Sequence, residues 1–250
     1  MNDPMIANGV SPPESPPLVG RSREQRLLRD ELAAAARGDG RLVVIGGDAG
    51  IGKTALARDL AQAAAGEMLV LTGHCYDLTA TPPYGPWLDL ADAYRRHADL
   101  PPLPAALASG RIDEIDSQAA LFAETRACFA ALAARRPGLI ILEDLHWADH
   151  ASIELLRHLG AGLAASPLCL LATYRIDELT RRHPFYQQLP ALVRDTGCHR
   201  VDLRPLTGDD LQTLVAARWP LAPADRQRLV AYLERHAEGN PFFTMELLRA

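Results

Sequence analysis

Four short runs along the chain are apolar at nearly every position: Leu42 to Ile45, Met68 to Leu71, Leu139 to Leu142 and Leu168 to Thr173. Unbroken apolarity over so few residues predicts strands covered on both faces, as in a parallel sheet. Between the runs the period lengthens to that of a helix. Leu27, Leu28, Leu32 and Ala35 recur at helical spacing before a stop at Gly38-Asp39-Gly40, and further helical patterns span 54–65, 86–97, 117–135 and 150–160. In the third of these Leu121, Phe122, Phe129 and Leu132 share one face. Strands alternating with helices predict right-handed crossovers and an α/β fold, its parallel β-sheet sandwiched by helices.

Around Pro205 the texture changes, and three helical patterns follow one another without a strand. Residues 17–204 are therefore expected to form the α/β domain and 205–250 a small helical domain. Residues 1–16, ending in SPPESPP, are expected to have no fixed structure. The last helix opens with Asn240 as cap and Pro241 in its first turn, then reaches Ala250 with no stop signal. That pattern predicts a polypeptide truncated within the helical domain.

The composition narrows the function classes. Of 250 residues, 48% are hydrophobic and 23% charged, which is the balance of a folded globular chain. A net charge of −5, with no basic cluster among aromatics, argues against nucleic acid as the ligand of this segment as a whole. Cys75, Cys128, Cys169 and Cys198 are far apart and form no C-x-x-C pair, so reduced, buried thiols are expected. The N-terminus has an acid at Asp3 and no apolar run, and no segment has the length of a membrane span. A cytoplasmic location is expected.

One lysine stands among the 26 Lys and Arg residues, and it is Lys53. It lies in Gly47-Asp48-Ala49-Gly50-Ile51-Gly52-Lys53-Thr54, which matches G-x-x-x-x-G-K-[ST] after a predicted strand and before a predicted helix. Glycines let the backbone curl so that its N–H groups face a phosphate, and the helix start adds the positive end of its dipole. Lys53 is assigned to the β- and γ-phosphates and the Thr54 hydroxyl to Mg²⁺, with Ala55 beside them at the helix start. A compact ammonium fits inside such a loop, whereas the broad guanidinium fork used at every other cationic position does not. Guanine-specific switch proteins read their base with N-K-x-D, which needs a second lysine, so ATP is the expected nucleotide.

The run Leu139 to Leu142 ends in Glu143 and Asp144. A parallel sheet delivers such a strand end to the edge that holds the glycine loop. Glu143 is then expected to hold Mg²⁺ and Asp144 to orient the attacking water. Most nucleotidases of this type have the two acids in the opposite order, and the changed side-chain lengths predict slow turnover. The run beginning at Leu168 ends in Thr173 and Arg175, an arginine placed to sense the γ-phosphate. His146 and Trp147 are expected to pack around the strand end, and Asp149 to cap the next helix. The histidines show no H-E-x-x-H spacing.

Taken in order, "LVGR", "GGDAGIGKTAL", "LTGHC", "PYGPW", "LEDLHWAD", "LLATYR" and "GNPFF" resemble the AAA-type, STAND-class P-loop ATPase domain of the large LuxR-type transcriptional regulators. Some adenylate cyclase-like and kinase-linked signalling proteins share this domain. The resemblance implies a switch in which ATP or ADP, with Mg²⁺, sits between the sheet domain and a helical lid. It places Val19, Gly20 and Arg21 beside the adenine and Pro241 close to the base. It implies self-association and intramolecular sensor and effector domains, with DNA contacted only through a helix-turn-helix beyond residue 250, and no membrane. Two other classes stay open. One is a ring-forming remodelling ATPase whose neighbour supplies an arginine finger, with Arg157, Arg181 and Arg182 as candidates; the other is a module that binds ATP without cleaving it.

Overall fold

The computed structural model describes residues 18–77, 82–112, 115 and 117–249. The expectation for residues 1–16 lies outside the described residues.

Five strands form one wholly parallel sheet: β1 (Arg41–Gly47), β2 (Leu69–His74), β3 (Gly138–Glu143), β4 (Leu168–Arg175) and β5 (His199–Asp202), in the order β2-β3-β4-β1-β5. The predicted apolar runs are the first four of these. Their side chains alternate between two separate cores, as a period of two requires. Leu42 and Val44 of β1, Ile140 and Leu142 of β3, and Leu170 and Ala172 of β4 face one cluster; Val43, Ile45, Leu139, Ile141, Cys169 and Leu171 face the other. Both faces are apolar because both are covered.

On the first face lie α3 (Gly85–Tyr94), α5 (Gln118–Ala133), α6 (His150–Ala161) and α7 (Pro184–Thr196), with the short α4 (Ala105–Ser109) beside α3. The second face is covered by α1 (Ser22–Ala36) and α2 (Lys53–Ala64). Trp87 of α3 is buried and donates its indole N–H to the Ser152 carbonyl of α6, 3.1 Å away, so its one polar atom is satisfied. All four cysteines are buried and unpaired.

Three of these elements are not expected from the sequence: α4, α7 and β5. The strand β5 buries only Val201 and pairs with β1 at the sheet edge. The helix α7 contains Pro190, a residue that ordinarily argues against a helix interior. The predicted helix 86–97 is shorter, ending at Tyr94.

After β5 come α8 (Gly208–Arg218), α9 (Pro223–Ala237) and α10 (Pro241–Leu247), gathered on their own core of Leu206, Leu211, Val215, Val230 and Leu233. Thr207 starts α8 with a reciprocal cap, its hydroxyl accepting from the Asp210 N–H while the Asp210 carboxylate accepts from the Thr207 N–H. A second tie closes the group, since Leu206 donates its N–H to the Gly239 carbonyl at 2.7 Å.

Leu233 is fully buried in this small cluster. Leu233→Ala is expected to destabilise it by about 2–5 kcal/mol. Hydrogen exchange should then quicken in α8 to α10 and stay unchanged in β1, β3 and β4; equal acceleration in the sheet would show that the helices have no separate stability.

Candidate nucleotide-binding site

The loop after β1 is built by donors that take its carbonyls one after another. Lys53 Nζ donates to the carbonyls of Gly47 and Asp48, each at 2.8 Å. Asn240 Nδ2 donates to Ala49 O at 2.8 Å, and the Phe242 N–H reaches Gly50 O at 3.2 Å. Arg21 Nη2 donates to Ile51 O at 3.0 Å, and the Leu56 N–H to Gly52 O at 3.0 Å as α2 begins. Three consecutive carbonyls, those of Ala49, Gly50 and Ile51, thus point at donors outside the curl, while the Ile51 N–H closes the turn onto Asp48 O at 3.3 Å. In a planar trans peptide the N–H points opposite to its C=O, so this arrangement leaves N–H groups to face the concave side. Positive φ at Gly50 (+74°) and Gly52 (+103°) makes the reversal possible. The Ile51 side chain is buried in the second core and pins the loop from below.

Lys53 is 6% exposed. Burial pushes its ammonium below the ordinary lysine value, and the neighbouring Asp144 opposes that shift. Beside it the Thr54 hydroxyl donates to Glu143 Oε2 at 2.7 Å, joining the glycine loop to the end of β3. Asp144 follows in a left-handed conformation, φ +62°, and donates its backbone N–H to Thr173 Oγ1 of β4 at 3.0 Å. The order β3-β4-β1 sets Thr173 and Arg175 between the two motifs. A cleft of about 210 Å³ is lined by Gly50, Gly52, Lys53, Thr54, Ala55, Asp144, Arg175 and Phe242.

Arg175 is held on three sides. Its guanidinium lies 5.0 Å from the Trp147 ring centroid and pairs with Glu178 at 2.5 Å, and its backbone N–H donates to His146 Nδ1 at 3.3 Å. Asp149 caps α6 through the Ser152 N–H and also accepts from the Tyr84 N–H. Arg157 faces Asp195 at 3.6 Å, while Arg181 and Arg182 are exposed.

Of the residues assigned from sequence, the cleft brings together Gly50, Gly52, Lys53, Thr54, Ala55, Asp144 and Arg175, with Glu143 joined through Thr54. Val19, Gly20, Arg21 and Pro241 do not line it. Arg21 instead grips the outside of the loop, and Gly20 packs against Leu206 and Asp210, which ties this segment to the C-terminal helices. Pro241 opens α10. Phe242 and the loop-contacting amide of Asn240 were not assigned from sequence. The cap signal at Asn240 was legible, but a cap uses the side-chain oxygen, and the amide that reaches Ala49 leaves no local trace.

Thr54 and Glu143 suit Mg²⁺, a hard cation that takes a few protein oxygens and fills its shell with water and phosphate. Among the described residues no group of three or more His, Cys, Asp or Glu side chains is placed to hold a metal unaided, and no helix is long and apolar enough to cross a membrane.

A parallel sheet in this order, with a G-x-x-x-x-G-K-T loop between β1 and α2 and an acidic end to β3, defines a P-loop ATPase fold. Residues 17–171 match the AAA ATPase domain profile, and the chain belongs to that family. Domains of this kind generally bind nucleotide with Mg²⁺. An uncharacterized protein of Rhizobium meliloti (strain 1021) is 27% identical over 270 aligned residues, covering 92% of this chain and 25% of that protein. This chain thus spans about a quarter of that relative's length. Among solved structures, a signal transduction ATPase with numerous domains from Pyrococcus horikoshii, with a tetratricopeptide repeat sensor, superposes with a TM-score of 0.57 at 21% identity. The match covers 92% of this chain and 29% of that one. The Aeropyrum pernix ORC1 protein, solved in complex with DNA, also gives 0.57 at 21% identity, over 93% of this chain and 59% of that one. At these identities the likeness is one of fold.

His146 carries a testable consequence. Burial lowers it to about 4, against opposing pulls from Asp144 and Glu178, while Arg175 and Lys53 lower it further. Its Nε2 is buried with no hydrogen-bond partner and lies 3.5 Å from Glu178 Oε2. The unfolded chain takes up this proton below a pH of about 6.5 and the folded one only near the depressed value. The stabilisation is therefore complete above the unfolded value and lost as pH falls between the two, by up to about 3 kcal/mol. His146→Asn, which keeps an acceptor for the Arg175 N–H, should flatten that acid limb in urea titrations across the window; an unchanged slope would remove His146 as its source.

Proposed function

We propose that this segment is the Mg²⁺-ATP-binding, slowly hydrolysing switch domain of a signalling protein, with residues 205–250 acting as a lid over residues 17–204. The observation that carries the reading is the 2.7 Å contact between Glu143 and Thr54, side chains 89 positions apart, the latter lining the cleft that also holds Lys53. Two oxygens from separate motifs converge beside a buried ammonium, as a metal-bound polyphosphate requires.

Each assigned residue has a distinct task. Backbone N–H groups from Gly47 to Thr54 and the Lys53 ammonium hold the β- and γ-phosphates. Thr54 and Glu143 hold Mg²⁺, which neutralises phosphate charge when bound. Asp144 orients the attacking water, and Arg175 contacts the γ-phosphate once released from Glu178. The carboxylate of Asp144 is one methylene shorter than the glutamate usual at the base position, so water is held less closely and turnover is slow. Val19, Gly20, Arg21 and Pro241 are assigned to the adenine side; Arg21 contacts the loop and Gly20 the C-terminal helical group.

The ordered motifs resembling LuxR-type regulators support a further step: sensor and effector domains outside these residues, DNA contacted by the effector, self-association and a cytoplasmic setting. The tetratricopeptide repeat sensor belongs to the Pyrococcus protein; a sensor of helical repeats is proposed here by analogy with it.

Lys53→Ala is expected to weaken ATP binding by about 10- to 100-fold, the loss of charge-assisted hydrogen bonds to phosphate. Isothermal titration checks it, and parent-like affinity would overturn the reading. Turnover of the parent is expected on the order of 10⁻² s⁻¹ or slower and independent of protein concentration. A steep rise with concentration would favour the ring-forming ATPase, and Glu143→Gln should abolish turnover.

A further inference from the structure

The start of α10 is seated on the phosphate loop through a single side chain with two jobs. Asn240 Oδ1 accepts the Phe242 N–H at 3.0 Å, which caps the helix. Its Nδ2 donates to Ala49 O at 2.8 Å, 191 positions away. The Phe242 N–H is shared, reaching Gly50 O at 3.2 Å as well. Two successive loop carbonyls are thereby taken by the first turn of the last helix. The approach is close enough that a Cβ on Gly50 would lie 2.7 Å from Phe242 Cβ and 2.9 Å from Asn240 Oδ1.

Fixing a carbonyl fixes the N–H on the other side of the same peptide plane. The bond to Ala49 O therefore sets the orientation of the Gly50 N–H, one of the donors that the loop presents to phosphate. Asparagine alone among the good caps supplies both an acceptor for the helix and an amide donor of this reach. Aspartate has no donor, and serine is one atom too short.

We propose that Asn240 is a positioning residue that couples seating of α10 to the phosphate-holding shape of the loop, so that each favours the other. This rests on the nucleotide reading above. Coupling of this kind is reciprocal: nucleotide steadies α10 by the same factor that α10 strengthens nucleotide binding.

The test uses the full chain with Asn240→Ser and Asn240→Asp. Both keep the cap and lose the amide, and the serine variant adds no charge near phosphate. Each is expected to bind Mg²⁺-ATP and Mg²⁺-ADP roughly three- to tenfold more weakly, the loss of one hydrogen bond. The distinguishing readout is hydrogen exchange at saturating Mg²⁺-ADP. In the parent, nucleotide should slow exchange in both 47–54 and 241–248; in the variants the slowing of 241–248 should disappear while that of 47–54 remains. A residue that only stabilised α10 would raise exchange in 241–248 with and without nucleotide and leave affinity unchanged, and that result overturns the proposal. So does parent-like behaviour of both variants while Lys53→Ala has lost binding. If Lys53→Ala also binds like the parent, the nucleotide reading itself fails and the coupling falls with it.

Discussion

An ammonium that is nearly buried must be compensated where it sits. Removing it from water is expensive, and the compensation for Lys53 is two backbone carbonyls, those of Gly47 and Asp48, at 2.8 Å. Those carbonyls reach it only because the chain folds back on itself within six residues of the end of β1. The same turn exposes the carbonyls of Ala49, Gly50 and Ile51 on its convex side, and each meets a donor from another part of the molecule. The loop is therefore a junction where the sheet, the segment before α1 and the last helix all meet. Its concave face is left lined with N–H groups, which is the electrostatic condition for holding phosphate.

The sheet order gives this junction its chemistry. With β4 between β1 and β3, the strand that ends in Thr173 and Arg175 runs between the lysine and the acids. Thr173 spends its hydroxyl on the Asp144 backbone and so steadies a residue held at φ +62°. A non-glycine residue in that region is strained, and such strain persists where the surroundings over-determine it. Arg175 is balanced differently. Glu178 and the Trp147 face hold it, and in the proposed reading a γ-phosphate competes with a single partly exposed carboxylate, a weak rival.

Those parts of the fold that bury apolar side chains on both faces were legible in the sequence. The apolar runs within β1, β3 and β4 repeat Leu, Val, Ile, Cys or Ala without a charged break, and the pattern of alternate positions facing two cores follows from it. The glycine loop was legible because its residue types are dictated by backbone shape and charge. Strand β5 was not, since it is an edge with only Val201 buried and pairs to β1 through backbone groups that any sequence possesses. Helix α7 was hidden by Pro190, which the burial of Phe185, Leu189 and Leu192 overrides. In the site, Lys53, Thr54, Glu143 and Arg175 come from local motifs, whereas the reach of Asn240 to Ala49 and of Arg21 to Ile51 depends on how distant elements dock. Spacing along a chain holds no record of that.

Magnitudes decide how the C-terminal helices communicate with the loop. Their core of Leu206, Leu211, Val215, Val230 and Leu233 holds them together as a unit, but their seating on the loop at α10 rests on two hydrogen bonds worth about 0.5–1.5 kcal/mol each. Driving a two-state equilibrium from one side to the other takes about 5.5 kcal/mol. Bonds from Asn240 and Phe242 fall short of that on their own, so they bias the position of α10 without locking it. In the proposed coupling, a ligand that orders the loop adds to this bias through the shared peptide planes. A seating weak enough to be lost and strong enough to register an ordered loop is what an equilibrium needs if nucleotide is to set it.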